Sequence, residues 1–323
     1  VDNQVLLSIC ILSYNQVDEV ERTLKGLIGQ ITPEVEVFIR DDSTNNDTEM
    51  LAAKYQSYFP IKYFHGTKAG IDRTIIYLTQ EARGKFVWWM GDDEIVKDGV
   101  SQMLDIIRKH EVNFIWANSV MVNTDIYAIN LPESGYLNNR DQLLQLGGTG
   151  LGFISGTVIK RDLALPHIKG SEKYIGSLFV NLYLVLGVIS APGKLYYAKG
   201  PLVICHPHTT EEVISVVVKG KEIKNPAFET FGITFYRVIL EFKDYFSHPA
   251  IRKTITKSFG RAWRGTVVGT VGGWDNFDNK RLRIIKYFWN FPEAWLAVIV
   301  FSTPVCVNRF LYEIYKKIKR SHA

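Results

Sequence analysis

Residues 5–12 form a nearly unbroken apolar run that stops at Ser13-Tyr14-Asn15, after which Val17, Val20, Leu24, Leu27 and Ile28 recur at helical spacing. The pattern predicts a strand, a polar turn and an amphipathic helix, and it repeats. Residues 35–40 predict a second strand that ends at Asp41-Asp42-Ser43-Thr44, with a helix over 48–58. A third, short strand at 61–65 leads through a loop at 66–70 to a helix over 71–82. A fourth strand at 86–90 precedes an amphipathic helix marked by Val100, Met103, Leu104 and Ile107, and a fifth strand follows at 113–117. Strands alternating with helices of about 10 to 14 residues predict an α/β chain whose mostly parallel sheet carries helices on both faces. Ligands bind such sheets at the carboxyl ends of the strands, and the polar clusters 13–15, 41–44 and 91–94 all fall there.

The third cluster is the most pointed. In Trp88-Trp89-Met90-Gly91-Asp92-Asp93-Glu94 an apolar strand ends in three consecutive carboxylates. Such groups raise one another's pKa and resist burial unless a divalent cation or a shuttling proton shares them. A solvated acidic turn ahead of a helix is the plainer alternative. Between about 120 and 210 the pattern is mixed: 153–160 and 202–205 read as strands and 177–190 as a buried helix. The Gly-rich run at 145–152 lacks the Lys-Ser/Thr ending of a phosphate loop and the strand-then-helix setting of a dinucleotide fingerprint. It reads either as close-approach backbone lining a pocket or as a plain loop.

From about 226 the chain turns helical and aromatic. Residues 294–307 carry no charge, but the stretch is shorter than the roughly 20 residues a bilayer span needs and is interrupted by Pro304. Tyr287, Phe288, Trp289, Phe291 and Trp295 precede or enter it, and Arg309, Lys316, Lys317, Lys319 and Arg320 follow. This order suits a segment lying among lipid headgroups, or else a packing helix with a solvated basic end. Charge sharpens the point. The net +5 divides into 23 Lys and Arg against 27 Asp and Glu over residues 1–240, and 15 against 6 over 241–323, so the basicity belongs to the tail. Nucleic acid is disfavoured as its partner, because the basic residues flank an apolar segment and form no stripe with interleaved aromatics.

With 323 residues and 46% apolar content the chain can bury a sizeable core, which excludes a disordered or repeat protein. Cys10, Cys205 and Cys306 are far apart and odd in number, so no disulfide framework is expected and a reducing, cytosolic setting is the simpler expectation. Residues 5–12 are short and follow no basic stretch, so they do not read as a secretory leader.

The clusters together suggest a chemistry. Asp41 is placed to accept hydrogen bonds from a nucleobase or ribose, Arg73 to neutralise a phosphate, and Asp93 to hold a cation. Those three describe a binder of a nucleoside diphosphate, and the fitting reaction is displacement of that diphosphate with the metal stabilising the leaving charge. The series Ile9-Cys10-Ile11-Leu12-Ser13-Tyr14-Asn15, Phe38-Ile39-Arg40-Asp41-Asp42-Ser43-Thr44, Gly70-Ile71-Asp72-Arg73 and Gly84 through Glu94 resembles the inverting family 2 glycosyltransferases of the GT-A fold. Within them it looks most like abequosyltransferase-type enzymes that build bacterial O-antigen and related surface glycans. The likeness covers about 1–120, continues more faintly to about 210, and beyond that contributes almost nothing.

The resemblance implies a nucleotide-binding half over 1–120, an acceptor-binding half over 121–225 and a basic, membrane-associating helical region over 226–323. Ser13, Tyr14 and Asp41 would line the nucleotide pocket, Arg73 would sit by the diphosphate and Asp92 by the ribose or donor sugar. Asp93 would take a divalent Mn²⁺ or Mg²⁺. The chain departs from the family where Gly91 replaces the first acid of the Asp-x-Asp, leaving Glu94 to compensate, and at Ser43-Thr44-Asn45-Asn46-Asp47-Thr48, expected to be a structural change. The family's general base is commonly an acid near the position of Ser177, and Gly176-Ser177-Leu178-Phe179 offers none. Glu172 is the nearest acid, with Glu94 or Asp92 as alternatives. His206 and His208, flanking Pro207 after a strand expected to return to the same edge, are candidate metal ligands or cationic partners of the diphosphate.

The expected activity is transfer of a sugar from a nucleotide donor to a polyprenyl-diphosphate-linked glycan, by a cytoplasmic protein lying on the inner face of the cell membrane. A sugar-nucleotide nucleotidyltransferase is the second reading, against which stands the lack of a basic Gly-rich loop after the first strand. A non-catalytic glycan-binding or assembly subunit is the third.

Overall fold

The computed structural model describes residues 4–67, 69–137, 139–206, 215–218, 221–224, 228–271 and 280–291, with isolated positions between 294 and 310. The first four apolar runs form β1 (Leu7–Ser13), β2 (Val35–Asp41), β3 (Ile61–His65) and β4 (Phe86–Met90). Each is followed by a helix: α1 (Val17–Leu27), α2 (Asp47–Tyr55), α3 (Ile71–Glu81) and α4 (Gly99–Lys109). In α1 the apolar stripe Val20, Leu24 and Leu27 is buried, with Asp18 and Glu19 in the first turn and Lys25 in the last, each complementing the helix dipole.

The later elements are β5 (Glu94–Ile95), β6 (Val112–Met121), β7 (Gly135–Leu137), α5 (Arg140–Gly147), β8 (Thr157–Lys160), α6 (Arg161–Ala164), α7 (Ile168–Ser171), α8 (Val180–Ser190) and β9 (Lys194–Cys205). A hairpin of β10 (Ser215–Val218) and β11 (Lys221–Lys224) and the helices α9 (Phe235–Glu241), α10 (His248–Val271) and α11 (Lys280–Phe288) follow. Among the described residues one nine-stranded sheet runs β3-β2-β1-β4-β8-β6-β9-β5, with β7 paired to β9. The strands β3, β2, β1, β4, β6 and β9 share one direction, and β8, β5 and β7 oppose it. Helices α1, α2 and α4 cover one face, where Leu24, Leu51 and Met103 meet Ile9, Ile39 and Trp88. On the other face α3 and α8 pack over Phe38, Trp89 and Phe114, and α9, α10 and α11 extend that layer through Phe235, Phe259 and Phe288.

Four elements differ from the sequence pattern. The apolar run at 153–160 is strand only from Thr157, because the Thr157 hydroxyl donates back to the carbonyls of Phe153 and Ile154 and holds a 3₁₀ turn ahead of it. The Gly-rich run begins inside α5 and ends as a 3₁₀ turn over Gly148–Gly152, whose carbonyl at Gly152 accepts from Asn181 Nδ2 at 2.6 Å. Glu94 belongs to β5, opposite Ile204 of β9, so the acidic turn proper is Gly91-Asp92-Asp93.

The fourth difference is the start of α8, which begins at Val180, beyond the expected 177. The buried Asp72 of α3 accepts from the backbone N–H of Gly176 (2.7 Å), Ser177 (2.9 Å) and Leu178 (3.0 Å) on Oδ2, and of Val180 (3.2 Å) on Oδ1. Aiming successive amides at one carboxylate puts Gly176 and Leu178 at positive φ, 85° and 67°, which for Leu is strained. Burial pushes the Asp72 carboxyl above its ordinary value and the four donors pull it back. Among the described residues no helix is long and apolar enough to cross a membrane.

Asp72→Asn turns an amide N–H toward these donors. It is expected to lower unfolding stability by about 1–3 kcal/mol and to speed hydrogen exchange at residues 176–180, read by urea unfolding and exchange mass spectrometry. Wild-type exchange there would remove the pinning role.

Candidate functional site

The carboxyl edge of the parallel strands gathers most of the expected residues. Ser13 and Asp41 are register partners at the ends of β1 and β2. Ser13 Oγ lies 3.2 Å from Thr48 Oγ1, and half-buried Tyr14 follows it into the turn. Asp41 is fully buried: Oδ1 accepts from the Ser43 N–H (3.1 Å) and hydroxyl (2.5 Å), Oδ2 accepts from the Tyr63 hydroxyl (2.9 Å), and His65 Nδ1 stands 3.8 Å away. Its carboxylate therefore presents Ser43, Tyr63 and His65 at the edge. Asn15, in the left-handed region at φ 53°, ties the two turns together. Its N–H donates to Ser43 Oγ (2.7 Å) and its Oδ1 accepts from the Thr44 N–H (2.9 Å).

Beyond β4, Asp93 is buried and Asp92 and Glu94 are partly so. The Asp93 carboxylate is hydrogen-bonded by the side chains of Ser155 and Cys205 and lies within electrostatic reach of Asp92 and His206. Burial and then the neighbouring Asp92 push its pKa up, while Ser155, Cys205 and His206 work against the rise. The same proximity, with burial as the larger cause, pushes the Cys205 thiol up to about 12, so it serves as a donor and not as a thiolate. Ser155 is itself fixed, its carbonyl accepting from Trp88 Nε1 at 2.8 Å and its hydroxyl from the Gly91 N–H at 3.3 Å. The Thr23 hydroxyl of α1 donates to the Asp93 carbonyl at 2.7 Å and completes the frame of the turn.

Because β9 runs parallel to β6, His206 emerges at this edge, and its Nε2 lies 3.3 Å from Glu94 Oε2. The pair draws Glu94 beside Gly26 of α1. His208 lies outside the described residues. Asp93 and His206 offer an oxygen and a nitrogen suited to a divalent ion, but among the described residues no three His, Cys, Asp or Glu side chains converge to hold one.

Glu172 and Arg73 stand apart from these acids. They are brought together in a cleft of about 550 Å³ between α3 and the 3₁₀ turn Glu172–Tyr174, with Arg40, Tyr77, Gln80 and Ile175 also on its walls. Sequence reasoning gave no role to Arg40, Asn15, Asp72 or Ser155. Asn15, Arg40 and Asp72 carried a weak signal by standing inside the motif segments; Ser155, an isolated serine after a Gly-rich run, carried none.

Residues 8–164, just under half of the chain, match the sequence model of the Glycosyl transferase family 2. The fold is similar to that of S. aureus TarS residues 1–349, with a TM-score of 0.66 at 13% identity over 97% of this chain and 91% of that one. A structure of the same protein in complex with UDP-GlcNAc gives a TM-score of 0.65 at 14% identity, over 97% and 92% of the two chains. The mannosyltransferase PcManGT from Pyrobaculum calidifontis, in complex with GDP-Man and Mn²⁺, is more distant, with a TM-score of 0.51 at 10% identity over 96% and 87%. No curated protein matches the chain by sequence. These likenesses establish a GT-A glycosyltransferase fold.

A raised Asp93 pKa means that the folded protein favours the protonated acid, and its stabilising contribution is lost as pH rises through the folded value. At neutral pH Asp93→Asn is therefore expected to unfold at a higher temperature than wild type. The gap should shrink as pH falls through the raised pKa and close below the ordinary 3.8. Thermal unfolding of both proteins from about pH 4 to 8 checks it, and a gap independent of pH would show that the burial is not strained.

Proposed function

We propose, from the match of residues 8–164 to the family 2 glycosyltransferases, that this protein moves a sugar, with inversion, from a nucleoside-diphosphate donor to a polyprenyl-diphosphate-linked glycan in surface-polysaccharide assembly of the abequosyltransferase type. The observation that carries the reading is the meeting of the Ser13–Asp41 edge with the buried acid Asp93 and with His206 at one end of the sheet. The neighbours in complex with UDP-GlcNAc and with GDP-Man and Mn²⁺ support a nucleotide-sugar donor and a divalent metal.

In this reading Ser13, Tyr14 and the groups presented by Asp41 hold the base and ribose, and Asp92 meets the ribose or donor sugar. Asp93, with His206 and His208, would hold a Mn²⁺ or Mg²⁺ ion. Such an ion commonly takes only one or two carboxylates plus substrate phosphates, which suits a donor set left incomplete by Gly91. When bound, it polarises the diphosphate and stabilises the leaving charge. Arg73 adds positive charge at the mouth of the α3 cleft. Glu172 opens onto that cleft with no side-chain partner among the described residues, whereas Glu94 is paired with His206. Glu172 is accordingly the proposed base for the acceptor hydroxyl.

The tail supplies the proposed place of work. Trp289, Ile299 and Phe310 are more than half exposed, with Trp289 at 64%, Trp295 is exposed to a lesser degree, and the basic residues 316–320 follow them in sequence. Aromatic rings beside Lys and Arg fit an anionic lipid surface, here the inner face of the cell membrane.

Calorimetric titration with UDP, CDP, GDP and dTDP, with and without Mn²⁺, tests the site. One nucleotide should bind preferentially, more tightly with metal, and lose the metal effect in Asp93→Ala. Glu172→Gln should keep that binding and lose about 10²-fold or more in transfer rate. Failure of every nucleotide to bind would bring the non-catalytic glycan-binding reading forward. Deletion of 285–323 is expected to release the protein from phosphatidylserine-containing liposomes in a flotation assay, and undiminished flotation would sink the tail's membrane role.

A further inference from the structure

Strand alternation sends Asp41 and Arg40 to opposite faces of β2, so Arg40 enters the cleft beside α3, away from the Asp41 network. There its guanidinium is held on several sides. Nε donates to Asp42 Oδ1 at 3.2 Å, and the Tyr77 and Phe64 ring centroids lie 4.3 and 5.3 Å away. Asp42 also accepts from the Ala69 N–H (3.0 Å) and the Thr74 hydroxyl (3.1 Å). Gly66 is required on the remaining side, since a Cβ there would stand 2.7 Å from Arg40 Nη2 and 2.6 Å from Asp42 Oδ1. Arg40 is only 8% exposed, yet among the described residues its terminal nitrogens make no hydrogen bond.

The terminal nitrogens open on the cleft, where solvent reaches them and an arriving anion would meet donors already held in place. The other polar side chains of the cleft are also uncommitted among the described residues: the Arg73 guanidinium, the Gln80 amide and the Glu172 carboxylate. The wall bearing Gln80 is fixed, because Arg161 donates to the Thr79 and Gln80 carbonyls at 3.0 and 2.6 Å.

We infer that this cleft binds a phosphate ester of a polyhydroxy alcohol, with Arg40 and Arg73 on the phosphoryl oxygens and Gln80 and Glu172 on the hydroxyls. Two guanidinium forks suit a tetrahedral anion, and a lone carboxylate beside them suits a hydroxyl donor. That the ester belongs to the glycan acceptor, whose hydroxyl Glu172 would then receive, rests on the transferase reading; binding of the ester itself does not.

The probe is sn-glycerol 3-phosphate, titrated into the full chain by calorimetry, with UDP, CDP, GDP and dTDP each added as competitors. Saturable binding is expected, undisturbed by any nucleotide and weakened about tenfold or more in Arg40→Lys and in Gln80→Glu. Gln80→Glu places a like charge before the anion on an exposed side chain, so it keeps the test open should Arg40→Lys unfold. No saturable binding, an unchanged affinity in Gln80→Glu, or displacement by a nucleotide would overturn the inference. The last outcome would assign the cleft to the donor diphosphate. Nucleotide binding in the same protein reports separately on the transferase reading.

Discussion

The carboxylate of Asp72 holds together the two walls on which the rest of the site depends. It sits in the first turn of α3 and gathers four backbone donors from the entry to α8, two helices that meet only in the folded chain. Each donor would otherwise be an unpaired amide at a helix N-terminus packed against the domain, and the strained Leu178 conformation has no local support. Through this knot α3 fixes where 176–180 runs, and with it the Glu172–Ile175 turn that faces Arg73. A residue with no place in the chemistry thus sets the width of the cleft in which the chemistry is proposed.

Asp93 shows the opposite balance. Its burial beside Asp92 works against the fold, and the surrounding groups limit the penalty without removing it: Ser155 and Cys205 donate hydrogen bonds and His206 lies within electrostatic reach. The donors are themselves anchored, Ser155 by Trp88 and Gly91 and Cys205 by Ser119 and its place in β9. Such a framed, energetically costly acid fits a group kept for a cation that a ligand brings with it.

The parallel half of the sheet was legible because β1, β2 and β4 are buried on both sides and read as continuous apolar runs, each stopped by polar residues at the same edge. β8 and β5 were not. A reversed strand of four residues and another of two carry no periodicity of their own, and their pairing is decided by neighbours far away in sequence. The acids at 92–94 were visible as a cluster, but their division was not: β5 pairing turns Glu94 toward α1 and His206, whereas Asp93 turns toward Ser155. Ser155 and Asp72 escaped notice because their partners are backbone amides or residues more than sixty positions away.

β2 carries this logic furthest. It buries Glu36, Arg40 and Asp41 in a seven-residue strand, which a core strand tolerates only if each charge has partners. Glu36 has Ser8 and Arg83, and Asp41 has Ser43 and Tyr63. Arg40 has Asp42 through one nitrogen and two aromatic rings, and its terminal nitrogens are left facing the cleft. Because adjacent residues of a strand face opposite ways, the same strand end that builds one polar network at the Ser13 edge supplies a second, incompletely satisfied one behind it. The two polar surfaces then share one rigid element, so each is held in a fixed position against the other without any movement of the sheet.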